Sequence, residues 1–166
     1  LQMPESTLPV DPYVYGMWLG NGNSVKPEVT ICTRDVESFL KQVPYEITNA
    51  WEQKGGGSWI FRIPALKPIL LSNFRQKHIP DEYMCASEEQ RWALLQGLMD
   101  SDGCIGARKA QSVYVSAIKD LADNVRELLW SLGIKNAMTE EPSTRYGVPT
   151  GETLYTIRFT TFDDQP

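Results

Sequence analysis

Residues 95–103 read Leu-Gln-Gly-Leu-Met-Asp-Ser-Asp-Gly, an apolar helical stretch that ends in the carboxylate of Asp102 and stops at a glycine. A Ser-x-x-Gln capping box at residues 87–90 predicts where this helix begins. Gly97 and Ser101 stand four residues apart, so one narrow face of the helix carries no bulky side chain. The stretch therefore predicts a helix suited to close contact with a second helix, with an acidic residue at its C-terminal end.

A second stretch repeats this pattern near the start of the chain. Residues 14–22 read Val-Tyr-Gly-Met-Trp-Leu-Gly-Asn-Gly, with Gly16 and Gly20 at the places of the two small residues above. Asn21 stands where Asp102 stands. Two such helices packed through their small faces would bring positions 21 and 102 side by side at the bottom of a shared cleft.

The two stretches resemble the paired motifs of the LAGLIDADG homing endonucleases, and residues 95–103 match almost letter for letter. Residues 77–83, Lys-His-Ile-Pro-Asp-Glu-Tyr, resemble the lysine block before the second motif in endonucleases carried inside inteins, the DOD type. Residues 121–134 resemble the helix that follows. This resemblance implies a two-motif monomer with an α+β fold: pseudo-twofold tandem αββαββ repeats, and two antiparallel, saddle-like sheets with both LAGLIDADG helices packed at the centre.

Hydrophobic periodicity predicts the same order of elements twice. The predicted helices span 12–19, 35–42, 65–75 and 121–132, and the predicted strands span 28–33, 45–51, 58–63, 104–109, 112–117, 135–139 and 153–160. Each half is expected to form a four-stranded, largely antiparallel sheet with helices on one face. The chain then divides into a lead-in at 1–10, a first half at 11–78 and a second half at 79–166. We expect the lead-in to be loose, because it is polar and contains two prolines.

The composition of the chain sets limits on its partners. With 166 residues, 42% of them hydrophobic, the chain forms one domain or two halves that share a core. A net charge of −5 argues against nucleic acid if taken alone, since backbone binding needs cations. Acidic residues, however, lie mostly on predicted helices and basic residues on predicted strands and loops, which predicts a basic sheet face beneath an acidic helical back.

The expected location is intracellular, in the cytoplasm, nucleoid or nucleus. The three cysteines are odd in number and form no CxxC pair, which favours reduced thiols. No apolar run is long enough to span a bilayer, and no signal segment follows Leu1, so we expect no membrane partner. The chain is expected to be the endonuclease part alone, because it lacks the N-terminal Cys or Ser and the C-terminal His-Asn that protein splicing needs.

Hydrolysis of a phosphodiester needs an activated water and neutralisation of the phosphate, which Mg²⁺ or Mn²⁺ held by hard oxygen ligands supplies. The resemblance implies that Asp102 is a metal ligand together with the carbonyl of Ser101, and that Asn21 and Gly20 are their counterparts. It also implies that Lys77 polarises water or steadies the phosphate, so Asp102, Asn21 and Lys77 are the catalytic candidates. The alternative for Lys77 is a solvated lysine before a turn that contains proline. A carboxylate at a helix C-terminus is disfavoured by the macrodipole, so Asp102 is hard to explain as a cap.

Other notable residues have simpler interpretations. Asp100 is expected to serve in hydrogen bonding rather than as a ligand. His78 is the only histidine and has no Ser or Cys partner in a recognisable motif, so a structural or DNA-proximal role is expected. Trp18, Trp92 and Trp130 fall on apolar helical faces and are expected in the core.

Recognition of a long double-stranded DNA site is expected from side chains along the strands, since a two-stranded ribbon fits the major groove. For each of these side chains a solvated strand residue is the alternative. The candidates are Lys26, Arg34, Lys54, Arg62, Arg108, Lys109, Ser112 and Arg158.

The expected function is therefore that of a sequence-specific DNA homing endonuclease with metal-dependent hydrolysis. Asn21 keeps the shape of Asp but lacks the charge that holds a hard cation. We predict that the natural residue is aspartate, and that the chain as given binds DNA and makes at most a nick. The alternative is a non-cleaving DNA-binding regulator or an RNA maturase on the same scaffold. No second lysine equivalent to Lys77 follows the last strand before residue 166, so it is either dispensable or lost by truncation.

Overall fold

The chain forms two sets of helices and strands in the same order. A computed structural model describes residues 3–71, 77–105, 111–145 and 148–160. The first set comprises α1 (Pro12–Asn21), β1 (Glu28–Cys32), α2 (Val36–Gln42), β2 (Asn49–Glu52), β3 (Ser58–Arg62) and α3 (Lys67–Leu71). The second comprises α4 (Asp81–Met84), α5 (Glu88–Asp102), β4 (Gly103–Ile105), β5 (Ser112–Ser116), α6 (Lys119–Ser131), β6 (Asn136–Arg145) and β7 (Val148–Phe159).

Both sheets are antiparallel and follow equivalent strand orders. The first sheet has the order β1-β3-β2 and the second has the order β4-β5-β7-β6. Val29 of β1 is paired with Phe61 of β3, and Tyr114 of β5 is paired in the same way with Ile157 of β7. These apolar side chains are buried towards the helices, which leaves the other face of each sheet for the alternate residues. The predicted α+β fold with two antiparallel sheets is confirmed.

The prediction of four strands in each half is wrong for the first half. The strand expected directly after α1 is reduced to an isolated bridge between Gly22 and Val29. The amide of Asn23 donates to the carbonyl of Glu28 at 2.9 Å, and its side-chain oxygen accepts from the amide of Val25 at 2.8 Å. The chain therefore turns back directly after the helix, and no room is left for a longer ladder.

Helices α1 and α5 contact each other through their glycines, as the sequence predicts. A Cβ atom added to Gly16 would lie 2.8 Å from the amide nitrogen of Leu98, and one added to Gly97 would lie 2.9 Å from that of Met17. Such distances are shorter than a real methyl group accepts, so the two backbones touch. The ends of the two helices are fixed relative to each other by this contact.

The described part of the lead-in is not loose, contrary to expectation. The side chain of Gln90 at the start of α5 donates to the carbonyl of Ser6 at 2.7 Å and accepts from its amide at 3.0 Å. The hydroxyl of Tyr83 donates to the carbonyl of Val10 at 2.9 Å, and the Val10 side chain is fully buried. The segment is anchored by Val10 in the core and by Leu8 packed against it, which its prolines and polar residues did not indicate.

Several predicted boundaries also need correction. Strands β6 and β7 form a longer hairpin than predicted, because Pro142 lies on an edge strand, where its missing N–H is tolerated, beside a shift in register. The predicted helix at 65–75 is helical up to Leu71, and residues 72–76 lie outside the described residues. Trp18 is buried as predicted, but Trp92 and Trp130 are 38% and 53% exposed, so their assignment to the core is wrong.

Candidate active site

The C-terminal ends of α1 and α5 bring four of the predicted site residues together. A Cβ atom added to Gly20 would lie 2.9 Å from the Oδ2 atom of Asp102 and 2.5 Å from the Cβ atom of Ser101. The side-chain amide of Asn21 donates to the carbonyl of Ser101 at 3.4 Å. Positions 21 and 102 thus lie side by side at the ends of the two helices, one turn beyond the backbone contact at Gly16 and Gly97, as the sequence predicts.

Lys77 reaches the same place from the segment between the two halves. Its ammonium group donates to the carbonyl of Gly20 at 2.9 Å. The same group lies 5.5 Å from the centre of the Trp18 ring, and this cation–π contact shields one side of the charge from water. The sequence analysis missed the contact with Trp18, because it depends on how the segment returns to α1.

The residues that follow Lys77 are held by hydrogen bonds from both halves. The hydroxyl of Tyr15 on α1 donates to the carbonyl of His78 at 2.8 Å. The amide of Ile79 donates to the side chain of Asn124 on α6 at 2.9 Å. These two bonds fix the direction in which Lys77 leaves the backbone, and they give His78 a structural role through its carbonyl.

Burial and charge act in opposite directions on the two ionisable groups of the site. Burial raises the pKa of the Asp102 carboxyl, and the positive charge of Lys77 acts against that rise. Burial lowers the pKa of the Lys77 ammonium, and the negative charge of Asp102 acts against that fall. Each group therefore depends on the other to stay charged in a place from which water is partly excluded.

A cleft of about 290 Å³ opens beside the first helix end, and its lining includes Asn21, Ser101, Arg34 and Asp35. Arg34 is predicted to lie on the DNA-binding strands, but it lies in the turn of 3₁₀ helix at Thr33–Asp35, where it pairs with Asp35 at 3.3 Å. Its position next to the helix ends was not expected from the sequence.

Asp100 is hydrogen-bonded as predicted. The hydroxyl of Tyr13 on α1 donates to the Oδ2 atom of Asp100 at 3.1 Å, and the side chain of Gln42 donates to the Tyr13 hydroxyl at 3.2 Å. Burial and the charge of Asp100 raise the pKa of Tyr13, so this hydroxyl remains a donor. Asp100 therefore ties α5 to α1.

The oxygen atoms at the helix ends suit a hard divalent cation, although they include a single carboxylate. The described residues contain no group of three or more His, Cys, Asp or Glu side chains that could hold a metal ion. Asp102 nevertheless lies beside the Gly20 end of α1, the carbonyl oxygens of Ser101 and Gly20 accept hydrogen bonds from Asn21 and Lys77 there, and Mg²⁺ is commonly held by one or two carboxylates together with substrate phosphates. The donor set therefore fits such an ion when the substrate supplies part of its shell.

Arg62 lies on the face of the first sheet that is turned away from the helices. Its Nη2 and Nε atoms donate to one oxygen of Glu28, at 2.6 and 3.1 Å, and its guanidinium lies 5.7 Å from the Trp51 ring centre. The Glu28 carboxylate is almost fully buried beneath it. The sequence analysis identified Arg62 but not the acidic partner that holds it in place.

Arg158 occupies the equivalent position in the second sheet. It is paired with Ala137 of β6, just as Arg62 is paired with Asn49 of β2. Its guanidinium donates to the hydroxyl of Thr139 at 2.8 Å and lies 3.7 Å from Glu141. Acidic partners thus accompany both arginines, so the predicted separation of a basic sheet face from an acidic helical back is only partial.

The remaining predicted DNA contacts are scattered. Lys26 and Lys54 are exposed in the turns before β1 and between β2 and β3. Ser112 shares the helix-covered face of β5 with Tyr114, opposite the face that carries Arg158. Arg108 and Lys109 lie outside the described residues.

Comparison with known proteins identifies the architecture. Residues 89–161 match the LAGLIDADG-like domain family. The chain is 32% identical over 161 residues to the replicative DNA helicase DnaB of Mycobacterium intracellulare. The aligned region covers 97% of this chain and 25% of the helicase. The chain thus spans about a quarter of the length of this curated relative. No helix in the described ranges has the length and apolar character needed to cross a membrane.

Solved structures extend this similarity to most of the chain. The homing endonuclease I-DmoI, crystallised with DNA and Mn, superposes with a TM-score of 0.59 at 14% identity, covering 92% of this chain and 89% of that chain. Other structures of I-DmoI hold its target DNA with Mg, or DNA with Ca. The N-terminal LAGLIDADG domain of WhiA superposes with a TM-score of 0.54 at 11% identity, over 89% of this chain and 74% of that chain. Residues 89–161 are therefore similar to the LAGLIDADG-like domain family, and the chain has the fold of the LAGLIDADG homing endonucleases.

Proposed function

We propose that the chain is a sequence-specific DNA endonuclease domain of the intein-associated LAGLIDADG type, which hydrolyses phosphodiester bonds with Mg²⁺ or Mn²⁺. The observation that carries this proposal is the meeting of Asp102, Asn21 and Lys77 at the ends of two helices in backbone contact. A structural role alone does not explain a half-buried carboxylate and ammonium at this point, since both are destabilised by burial.

Each residue has a distinct task in this proposal. Asp102 and the Ser101 carbonyl hold the divalent ion, with Gly20 and Asn21 as the weaker oxygen donors of the other half. When bound, the ion supplies positive charge at the phosphate and lowers the pKa of an attacking water. Lys77, fixed by Gly20 and Trp18, presents its ammonium to the scissile phosphate or to that water.

Asn21 limits what this form of the domain can do. Its amide nitrogen donates to the Ser101 carbonyl, so a neutral hydrogen-bond donor stands beside an oxygen proposed as a metal ligand. We infer that the natural residue is aspartate and that the chain as given binds DNA without making a double-strand break. Slow nicking directed by Asp102 is the residual activity expected if the two halves act on separate strands.

The similarity to DnaB supports the intein-associated type. A LAGLIDADG-like stretch that corresponds to a quarter of a helicase is what a nuclease module carried inside a host protein would produce. Within the module, residues 1–10 are assigned to a lead-in, 11–78 to the first half and 79–166 to the second. The domain is proposed to act as a monomer, because one chain supplies both halves.

The test compares the chain with its Asn21→Asp variant on supercoiled plasmid. The plasmid carries a duplex target recovered from a randomised DNA pool by its retention on the immobilised chain. We expect linear product from Asn21→Asp with Mg²⁺, none with EDTA, and at most nicked circles from the chain as given. Asp102→Asn in the Asn21→Asp background should abolish the linear product. Equal cutting by both forms would remove position 21 from the metal site.

A second candidate function is a non-cleaving regulator of DNA, and the neutral side chain at position 21 favours it. The similarity to the WhiA LAGLIDADG domain gives this candidate some weight. In that case the chain and Asn21→Asp would both retain the selected duplex and leave it intact in Mg²⁺ and in Mn²⁺. Preference for structured RNA over the duplex would instead indicate a maturase.

A further inference from the structure

The hydroxyl of Tyr114 is a buried polar group without a partner. Its side chain is fully buried on β5, and no described residue forms a hydrogen bond with it. Burying a hydroxyl without a hydrogen bond is unfavourable, and such groups are rare in folded proteins. The unpaired hydroxyl of Tyr114 therefore indicates that this residue has a role beyond packing in the core.

The strand register places Tyr114 next to the end of α5. Tyr114 is the antiparallel partner of Gly103, the residue that directly follows Asp102. Because antiparallel partners have Cα atoms about 5 Å apart, the Tyr114 backbone lies close to the turn that carries the carboxylate. A Cβ atom added to Gly103 would overlap the Cε atom of Met99, so the last turns of α5 pack directly against the strand that pairs with Tyr114.

The charge of Asp102 reaches the Tyr114 hydroxyl. Burial raises the pKa of Tyr114 most, and the negative charge of Asp102 raises it further. A phenol hydroxyl is a hydrogen-bond donor, and a buried donor is stabilised when it reaches an acceptor. Asp102 itself accepts no hydrogen bond from a described side chain in this structure, which leaves its oxygens available.

The other half of the molecule lacks both members of this pair. Val29 takes the register position of Tyr114, opposite Gly22, and Asn21 takes the position of Asp102. A plain apolar side chain is thus sufficient to pack the sheet at this point. The hydroxyl occurs only in the half that keeps the acid.

We propose that Tyr114 is a positioning residue, whose hydroxyl donates to one buried water that in turn donates to the Asp102 carboxylate and so orients it as a metal ligand. This inference rests on the proposed function, because it assumes that Asp102 binds the ion. Hydrogen bonds to ligating carboxylates fix their direction, and removal of such a bond typically weakens metal binding by roughly 10- to 100-fold.

The test measures Mn²⁺ binding to the full chain on the selected duplex, by the electron paramagnetic resonance signal of the free ion and with the duplex alone as the background. We expect Tyr114→Phe to weaken Mn²⁺ binding by about tenfold or more. Its melting temperature in EDTA should stay close to that of the parent, because phenylalanine keeps the buried ring that packs in the core. Tyr155→Phe, which removes a hydroxyl from the neighbouring strand two register positions away, should leave Mn²⁺ binding unchanged.

A variant cycle separates positioning from packing. In the Asp102→Asn background, Tyr114→Phe should cause no further loss of the residual Mn²⁺ binding. Unchanged affinity in Tyr114→Phe, or the same loss in both backgrounds, would overturn the role of Tyr114 and leave the proposed function standing. A fall in melting temperature together with the affinity would show a packing role instead. No Mn²⁺ binding above the duplex background, by the parent chain and by Asn21→Asp on the selected duplex, would overturn both proposals.

Discussion

Asp102 carries a negative charge at a point where two features of the protein disfavour it. The C-terminal end of α5 has the negative pole of the helix dipole, and the surrounding residues exclude much of the water that would solvate a carboxylate. Lys77 compensates only in part, because burial still raises the pKa of Asp102. A residue that reduces stability in this way is expected where function requires it.

The raised pKa of Asp102 predicts how Asp102→Asn changes stability with pH. The unfolded chain titrates this carboxyl in the ordinary range, whereas the folded pKa is higher. The contribution of Asp102 to the free energy of unfolding is therefore fully present in acid, and it is lost as the pH rises through the folded pKa of its carboxyl. We expect Asp102→Asn to melt at a higher temperature than the parent at pH 7 in EDTA, with the gain shrinking as the pH falls towards 3.

A matched control for this measurement is Asp100→Asn, which removes a carboxylate from the same turn. Asp100 is exposed and accepts a hydrogen bond from Tyr13, so this variant should show no gain at pH 7. An excess of Mg²⁺ should stabilise the parent and leave Asp102→Asn unchanged. A loss of melting temperature in Asp102→Asn at pH 7 would mean that the attraction between Asp102 and Lys77 outweighs the cost of burial.

At the scale of elements, features set by neighbouring residues were predictable and features set by distant contacts were not. The capping box of α5 and the glycine after α6 are local signals, and both occur as predicted, with Gly133 at a φ of +78°. The strand expected after α1 failed, because the turn at Asn23 determines the register there. The docking of Ser6 on Gln90 depends on residues that are far apart in the sequence.

The contact between α1 and α5 predicts a large effect of Gly97→Leu. An added side chain would meet the backbone of Tyr13 and Met17, which cannot move away as a flexible side chain can. We expect a loss of about 1–3 kcal/mol or more in the free energy of unfolding, measured by urea denaturation. Nicking or linearisation by the Asn21→Asp form should also be lost, because the separated helices would no longer bring positions 21 and 102 together.

Gln96→Leu is the control for Gly97→Leu. It tests whether the loss in the free energy of unfolding comes from the contact with α1 or from placing a leucine anywhere on α5. Gln96 is exposed and directly precedes Gly97 on the same helix. This variant should unfold within about 0.5 kcal/mol of the parent, as surface substitutions usually do. A stable Gly97→Leu protein that still cleaves DNA would show that the helices can separate without harm to the site.

At the scale of the whole molecule, the proposed DNA interface follows pseudo-twofold symmetry. The proposed reaction centre does not, because its two equivalent positions carry Asn21 and Asp102. Arg62 and Arg158 occupy equivalent positions on the two sheets, each with an acidic neighbour. Sequence analysis identified both arginines, Asp102 and Lys77, because each belongs to a strand pattern or a family motif. The buried Glu28 carboxylate and the unpartnered Tyr114 hydroxyl were not predicted, because both arise from burial and pairing in the folded chain.

This arrangement predicts that the two arginines act on different halves of one DNA site. Arg62→Ala should weaken binding of the selected duplex by about 1–3 kcal/mol if the guanidinium contacts a base, and should reduce footprint protection in one half only. Arg158→Ala should do the same in the other half. Sedimentation of the parent complex should give one chain per duplex, since a single chain supplies both sheets.

Lys41→Ala is the matched control, because it removes one positive charge from α2 on the helical side, where the side chain is 71% exposed. It should change neither the footprint nor the affinity beyond the general effect of charge, which is tested by varying the salt concentration. If Arg62→Ala and Arg158→Ala weaken the same half of the footprint, or if two chains bind one duplex, the two sheets do not share the site. The two sheets would then be equivalent in structure without each contacting one half of the DNA site.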